Sequence, residues 1–148
     1  MTRDVLIRIS GFQMLEDEQD NIEVIAPGDY FLKNGKHYIL YDEIIEGFEG
    51  VVKNTIKVAP DCMDIRKSGI SNVRMSFEAD KKNISSYATP LGEMMIGIST
   101  NQISVAEAED SLKIRVDYSL DINYEHVSDH EISIDVYSKE KADLNLGA

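Results

Sequence analysis

The sequence lacks the features of a secreted or membrane-spanning protein. Its 148 residues include a single cysteine, Cys62, and no tryptophan. A lone thiol forms no internal disulfide, which is typical of a reducing compartment. Apolar runs are at most four or five residues long, far short of the about 20 that span a bilayer. No apolar leader precedes the first alternating segment. We therefore expect a cytoplasmic protein without membrane attachment.

Positive charge is scarce as well. The chain has 15 lysines and arginines against 27 aspartates and glutamates, which gives a net charge of -12. The basic pairs Arg66-Lys67 and Lys81-Lys82 are too short to form a nucleic-acid footprint, and phosphate backbones repel so acidic a surface. The sequence therefore predicts no nucleic-acid partner.

The main pattern in the sequence is an alternation of apolar and polar residues with a period of two. From Leu112 to Ile122, every second residue is apolar and the residues between are polar or charged. Because successive side chains of a strand point to opposite faces, this pattern predicts a half-buried strand and excludes a helix. Asn34-Gly35 is a strong hairpin signal, since both residues tolerate positive φ. Turn signals recur about every 8–12 residues, a spacing typical of barrels and sandwiches.

These patterns predict one all-β domain over residues 1–138, followed by a C-terminal tail at 139–148. Short loops make neighbours in sequence neighbours in the sheet, so we expect an antiparallel meander of about 8–10 strands. Closure into a barrel removes both exposed edges, and a sandwich is the second architecture. Pro27-Gly28 predicts a bulge or an edge in the second strand. Residues 102–108 fit either a strand or a short helix.

Two segments in the middle of the chain carry a family resemblance. They are Ile65-Arg66-Lys67-Ser68-Gly69 and, further on, Tyr87-Ala88-Thr89-Pro90-Leu91-Gly92. With the turn glycines and strand pattern around them, they make nearly the whole chain resemble the bacterial YwiB-like family. Leu91 departs from the pattern, where an aromatic is more usual. The resemblance implies a calycin-like β-barrel, the architecture of lipocalins and fatty-acid-binding proteins, and it implies no reaction.

Arg66, Tyr87, Thr89 and Tyr41 are the candidate ligand-binding residues. A barrel that binds a small acid often places one cation inside, where an arginine grips a carboxylate through two hydrogen bonds. Arg66 is the candidate cation, and Tyr87 and Thr89 would donate hydroxyls. The alternative is that Arg66 lies on the outer face beside an acidic residue. Tyr41 either lines a cavity or fills the core.

Other reactive side chains have a simpler interpretation. Cys62 lies between acidic residues, which disfavour the thiolate. His126 and His130 have a zinc-like spacing, but they flank an expected hairpin turn at 123–129, so a solvated turn is favoured. The carboxylates Asp42, Glu43, Glu46 and Glu49 and the polar segment 16–21 are interpreted as hydrated turns. We therefore predict no catalytic residue, no metal site and no cofactor.

Three functions remain open. The first is a binding module for a small hydrophobic or acidic ligand, because barrels of this size can enclose one ligand. The alternative is a protein-interaction or scaffold module that acts as a homodimer. An enzyme is the third, because no acid, base or nucleophile stands out.

Overall fold

The computed structural model describes residues 3–11, 23–43, 50–69, 72–89 and 92–139. These residues form ten strands: β1 (Asp4–Ser10), β2 (Glu23–Lys33), β3 (Lys36–Glu43), β4 (Val52–Ala59), β5 (Cys62–Ser68), β6 (Val73–Glu78), β7 (Lys81–Thr89), β8 (Gly92–Glu107), β9 (Ser111–Ile122) and β10 (Glu125–Ser138). The described residues contain no helix long and apolar enough for a bilayer crossing.

The strands form a nearly closed antiparallel barrel, which confirms the fold expected from the short loops and from the family resemblance. Their order is β6-β5-β4-β3-β2-β1-β10-β9-β8-β7, so the first and last strands pair with each other. The two edges of the sheet are β6 and β7, which follow one another in sequence and contact each other. No ladder joins these two strands among the described residues. We call this junction the seam.

The inner face of the barrel is filled by alternating apolar side chains. Along β9, Leu112, Ile114, Val116, Tyr118 and Leu120 are all at most 1% exposed. Burying each such side chain stabilises the fold by about 1.5–3 kcal/mol. Met63, Met75, Phe77 and Ile96 are equally buried and pack in the same cluster. At their level, these side chains occupy the interior of the barrel.

The structure resolves one open alternative and corrects one local prediction. The ambiguous segment 102–108 is a strand: it continues β8 to Glu107 beyond a bulge between Thr100 and Gln102. The turn before β10 is two residues, 123–124, so the histidines at 126 and 130 lie within a strand.

The strand β2 runs through Pro27 and Gly28 without a register shift, so the expected bulge is absent. The other feature predicted for Pro27-Gly28, a strand edge, agrees better with this part of β2. From Ala26 to Gly28 the strand pairs with β1 alone, and its pairing with β3 begins only at Asp29. Proline lacks an N–H, so it suits a place where a strand has a neighbour on one side. Here β2 and β3 part from each other.

A chain of three polar side chains connects two hairpins at one end of the barrel. The Tyr30 hydroxyl lies 2.6 Å from Nδ1 of the buried His37. On the other side of this ring, Nε2 lies 3.2 Å from a carboxylate oxygen of Glu107. A carboxylate only accepts, so Nε2–H is the donor to Glu107, and in the neutral ring Nδ1 accepts the tyrosine proton. The chain ties the β2–β3 hairpin to the end of β8.

Several predicted features fall outside the described residues. They are the segment 16–21, the carboxylates Glu46 and Glu49, and the tail from residue 140 onward.

Candidate functional site

The structure separates the predicted ligand residues. Arg66 is exposed on the outer face of β5, because its neighbour Ile65 points inward. Of the two positions considered for Arg66, the structure has the outer one. Tyr41 is 8% exposed and faces inward from β3. Tyr87 and Thr89 belong to β7, but their side chains lie outside the described part of the structure.

A cleft opens where β2 and β3 part. It has a volume of about 580 Å³, and its lining includes Gly28, Tyr41, Lys53, Asn54 and Ser68 together with the carboxylates Asp4, Asp29 and Asp42. Gly28 is needed for this geometry: a Cβ atom there would come within 2.5 Å of both the Ile7 side chain and the Leu40 carbonyl oxygen. Real Cβ atoms do not approach other atoms so closely. The glycine therefore allows β2 to lie close to β3 just before the two strands diverge.

Polar side chains line the inner side of this cleft. Tyr41 and Asn54, which line the cleft, lie opposite each other on β3 and β4, and Asn54 lies opposite Lys67 of β5. The ammonium of Lys67 donates to Oδ1 of Asn54 over 2.8 Å and lies 3.1 Å from a carboxylate oxygen of Glu43. Asn54 is 1% exposed, so its side chain needs these partners. Burial, and then the negative charge of Glu43, raises the pKa of the Tyr41 phenol.

A second depression of about 280 Å³ adjoins the cleft at Ser68, which lines both. Its other lining residues are Arg66, Lys67, Asn72 and Arg74, so every charged group in the lining is a cation. Arg66 and Arg74 lie directly opposite each other on β5 and β6. Like charges in this position destabilise a sheet. A bound anion would remove this repulsion.

The two arginines differ in their partners. The guanidinium of Arg74 lies 3.8 Å from a carboxylate oxygen of Asp64, which also accepts a 2.6 Å hydrogen bond from the Ser76 hydroxyl. Arg66 makes no ion pair within the described ranges. Its guanidinium is therefore the group in the depression that is most available to a ligand.

Asn54 and Lys67 were missed by the sequence prediction, although a signal for both exists. Asn54 is in phase with the apolar Val52 and Ile56, which face inward along β4. Lys67 is likewise in phase with Ile65 along β5. A polar residue at an inward position is the informative departure from the pattern. The same phase shows that Arg66 faces outward.

Cys62 and the two histidines form no joint site. Burial raises the pKa of the Cys62 thiol, and Asp61 and Asp64 raise it further. His126 is exposed and pairs with Asp129 at 3.0 Å, whereas the half-buried His130 contacts the Ser128 hydroxyl at 2.6 Å. Among the residues that the structure describes, no group of three or more His, Cys, Asp or Glu side chains could hold a metal ion.

Comparisons with known proteins agree with this architecture. The sequence model of the family described as "Domain of unknown function (DUF1934)" matches residues 7–134. The uncharacterized beta-barrel protein YwiB of Bacillus subtilis (strain 168) is 26% identical over 136 residues, covering 90% of this chain and 94% of that protein. A crystal structure of the ywiB protein from Bacillus subtilis has a TM-score of 0.71 at 24% identity. It covers 91% of this chain and 89% of that chain. This likeness shows a shared fold.

Proposed function

Because the chain belongs to the DUF1934 family, whose function is unknown, we propose a function from its own geometry: it binds a small acidic molecule in the cleft and the adjoining arginine depression. The resemblance to the YwiB-like family that the sequence predicted is confirmed by the same matches. The observation that carries the proposal is the opposed pair Arg66 and Arg74, with Arg66 lacking an ion pair within the described ranges.

The electrostatics of the whole chain favour this location for an anion. With a net charge of -12, most of the surface repels an acidic ligand. The depression is an exception, because its charged lining residues are Arg66, Lys67 and Arg74. Each guanidinium presents a planar set of donors that matches a carboxylate or phosphate. The acid group therefore binds between the two arginines.

The remainder of the ligand extends past Ser68 into the cleft. There the lining includes Lys53 and Thr55 together with the carboxylates Asp4, Asp29 and Asp42, so the part of the ligand in the cleft is uncharged and its acid group stays in the arginine depression. A volume of about 580 Å³ is within the range of ordinary small-molecule sites, which are about 300–1,000 Å³. Buried apolar side chains occupy the centre of the barrel, so the ligand lies in the barrel wall.

Amide chemical shifts measured by NMR test the proposal, with sodium succinate and sodium phosphate as probes at constant ionic strength. We expect shifts confined to β5, β6 and the cleft. Arg66→Gln should weaken binding about tenfold or more, because a hydrogen bond to a charged group contributes about 1.5–3 kcal/mol.

Lys33→Gln is the matched control, because it removes one exposed positive charge from the distant β2–β3 hairpin. It should leave the affinity nearly unchanged. The proposal is wrong if neither probe shifts the β5 and β6 amides at millimolar concentration, or if the two variants weaken binding equally.

A further inference from the structure

Two buried polar atoms beside the seam have no hydrogen-bond partner among the residues that the structure describes. They are the side-chain nitrogen of Asn83 on β7 and the hydroxyl oxygen of Thr100 on β8. Thr100 as a whole is 2% exposed. Buried polar groups in proteins are almost always hydrogen-bonded to protein or to ordered water. Two exceptions so near one another need a common explanation.

The two side chains are neighbours on the inner face of the barrel. Thr100 lies opposite Lys81, and Asn83 lies opposite Ile98, so Asn83 and Thr100 are diagonal partners across β7 and β8. Ile98 is buried in the core, whereas Ile84, the next residue of β7, is 50% exposed. Asn83 therefore points inward with Ile98 and Thr100. Diagonal partners are about 7–8 Å apart at their Cα atoms, and their side chains can reach a shared atom.

The backbone around Thr100 is held in place, so loose packing does not account for the missing partners. The N–H of Asp80 donates to the Thr100 carbonyl oxygen over 2.9 Å. On the next strand, Tyr118 lies directly opposite Thr100. The Tyr118 ring packs edge-on against Phe77 of β6, with centroids 5.1 Å apart. Strands β6, β8 and β9 are thus fixed to one another at this level.

Both atoms can donate to the same acceptor. The Asn83 amide nitrogen carries two N–H groups, and the Thr100 hydroxyl carries one O–H. We propose that the barrel binds a guest here whose oxygen accepts one hydrogen bond from each side chain. Such an oxygen belongs either to a carbonyl or carboxylate of a small molecule or to a water molecule. Because large side chains fill the neighbouring interior, the buried part of the guest is only a few atoms in size.

The seam provides the route by which this guest enters and leaves. Every other pair of neighbouring strands in the described residues is joined by a ladder, although the β2–β3 ladder is short and the β8–β9 and β9–β10 ladders each contain a register shift. Strands β6 and β7 make contact without any ladder in these residues. Separating β6 from β7 therefore breaks side-chain contacts but no ladder hydrogen bonds. Asn83 lies on β7 itself, within reach of this opening.

The sign of a stability change tests the proposal. Thr100→Val replaces the hydroxyl by a methyl of similar shape. If a guest accepts the hydroxyl proton, this variant unfolds at a lower urea concentration than the original chain. If the hydroxyl has no partner, the variant unfolds at an equal or higher concentration, because an unsatisfied buried polar group has been removed. Ser104→Ala removes an exposed hydroxyl from the same strand and should leave the midpoint unchanged.

Two further measurements on the intact chain identify the guest. Native mass spectrometry that detects an added mass, lost in Thr100→Val, indicates a small molecule. Water-to-protein cross-relaxation at the Asn83 amide, also lost in Thr100→Val, indicates an ordered water. The proposal is overturned if neither signal is observed and the urea midpoint of Thr100→Val is unchanged or raised. The arginine site is unaffected by either result, because Arg66 lies on the outer face of a different strand.

Discussion

The polar chain at the hairpin end of the barrel gives a sharp test of how the fold is held together. Tyr30→Phe keeps the ring and removes the hydroxyl that lies 2.6 Å from Nδ1 of His37. His37 is 7% exposed, so water cannot replace the lost partner. Leaving a buried acceptor without a partner destabilises a fold by about 1–3 kcal/mol. With a urea m-value of about 1–3 kcal/mol per molar, the midpoint should fall by roughly 1 M.

The contact between His37 and Glu107, at the outer end of this row of three side chains, should contribute less to stability than the contact between Tyr30 and His37. The Glu107 side chain is 57% exposed, and ion pairs at exposed positions contribute about 0–1 kcal/mol. Glu107→Gln should therefore lower the urea midpoint by less than Tyr30→Phe does. Tyr38→Phe is the control, because Tyr38 lies on the outer face of the same hairpin. The reasoning is refuted if Tyr30→Phe is as stable as the original chain, or if Glu107→Gln is the more damaging change.

Three further predictions concern other parts of the barrel. Asn54→Ala removes the acceptor 2.8 Å from the Lys67 ammonium and should lower the free energy of unfolding by about 2 kcal/mol in urea titrations; an unchanged midpoint would contradict the described network. Gly28→Ala should lower it by about 1–3 kcal/mol through the clash with Ile7, and equal thermal midpoints would refute the close approach. Burial lowers the pKa of His130 in the folded chain. As the pH falls below about 6.5, the His130 imidazole is therefore protonated in the unfolded chain before it is protonated in the folded chain. Stability should therefore decrease below that pH less in His130→Gln than in the original chain, and parallel pH profiles of the urea midpoint would exclude this linkage.

The fold was largely predictable because the alternation is local information. The pattern from Leu112 to Ile122 fixes a strand and its inward face, and it coincides with β9 to within one residue. The Asn34-Gly35 turn likewise places two strands side by side. The length of a turn depends on backbone contacts instead. The turn after Ile122 is short because Asn123 bonds twice to the backbone of Met95, a distant residue that local pattern cannot identify.

The candidate site was less predictable, for a different reason. Arg66 was predicted as a ligand-binding residue from its residue type alone. Its outward position follows from the strand alternation, because the neighbouring Ile65 faces inward. The cleft itself has no sequence signature: it exists because β3 leaves β2 at Gly28 while β1 stays paired with it. The unpartnered Asn83 and Thr100 depend in turn on the register between β7 and β8. Such relationships arise only when distant strands are brought together.

The pairing of β1 with β10 also has a consequence for how the chain acquires its structure. Val5 at the start lies opposite Ser138 near the end, so this ladder is among the least local in the molecule. Folding slows as contacts connect residues further apart in sequence, because a long loop must close before they form. During synthesis, β1 emerges from the ribosome long before its final partner exists. Nascent chains therefore carry an open sheet edge until β10 arrives, a period in which chaperones or neighbouring chains compete for it.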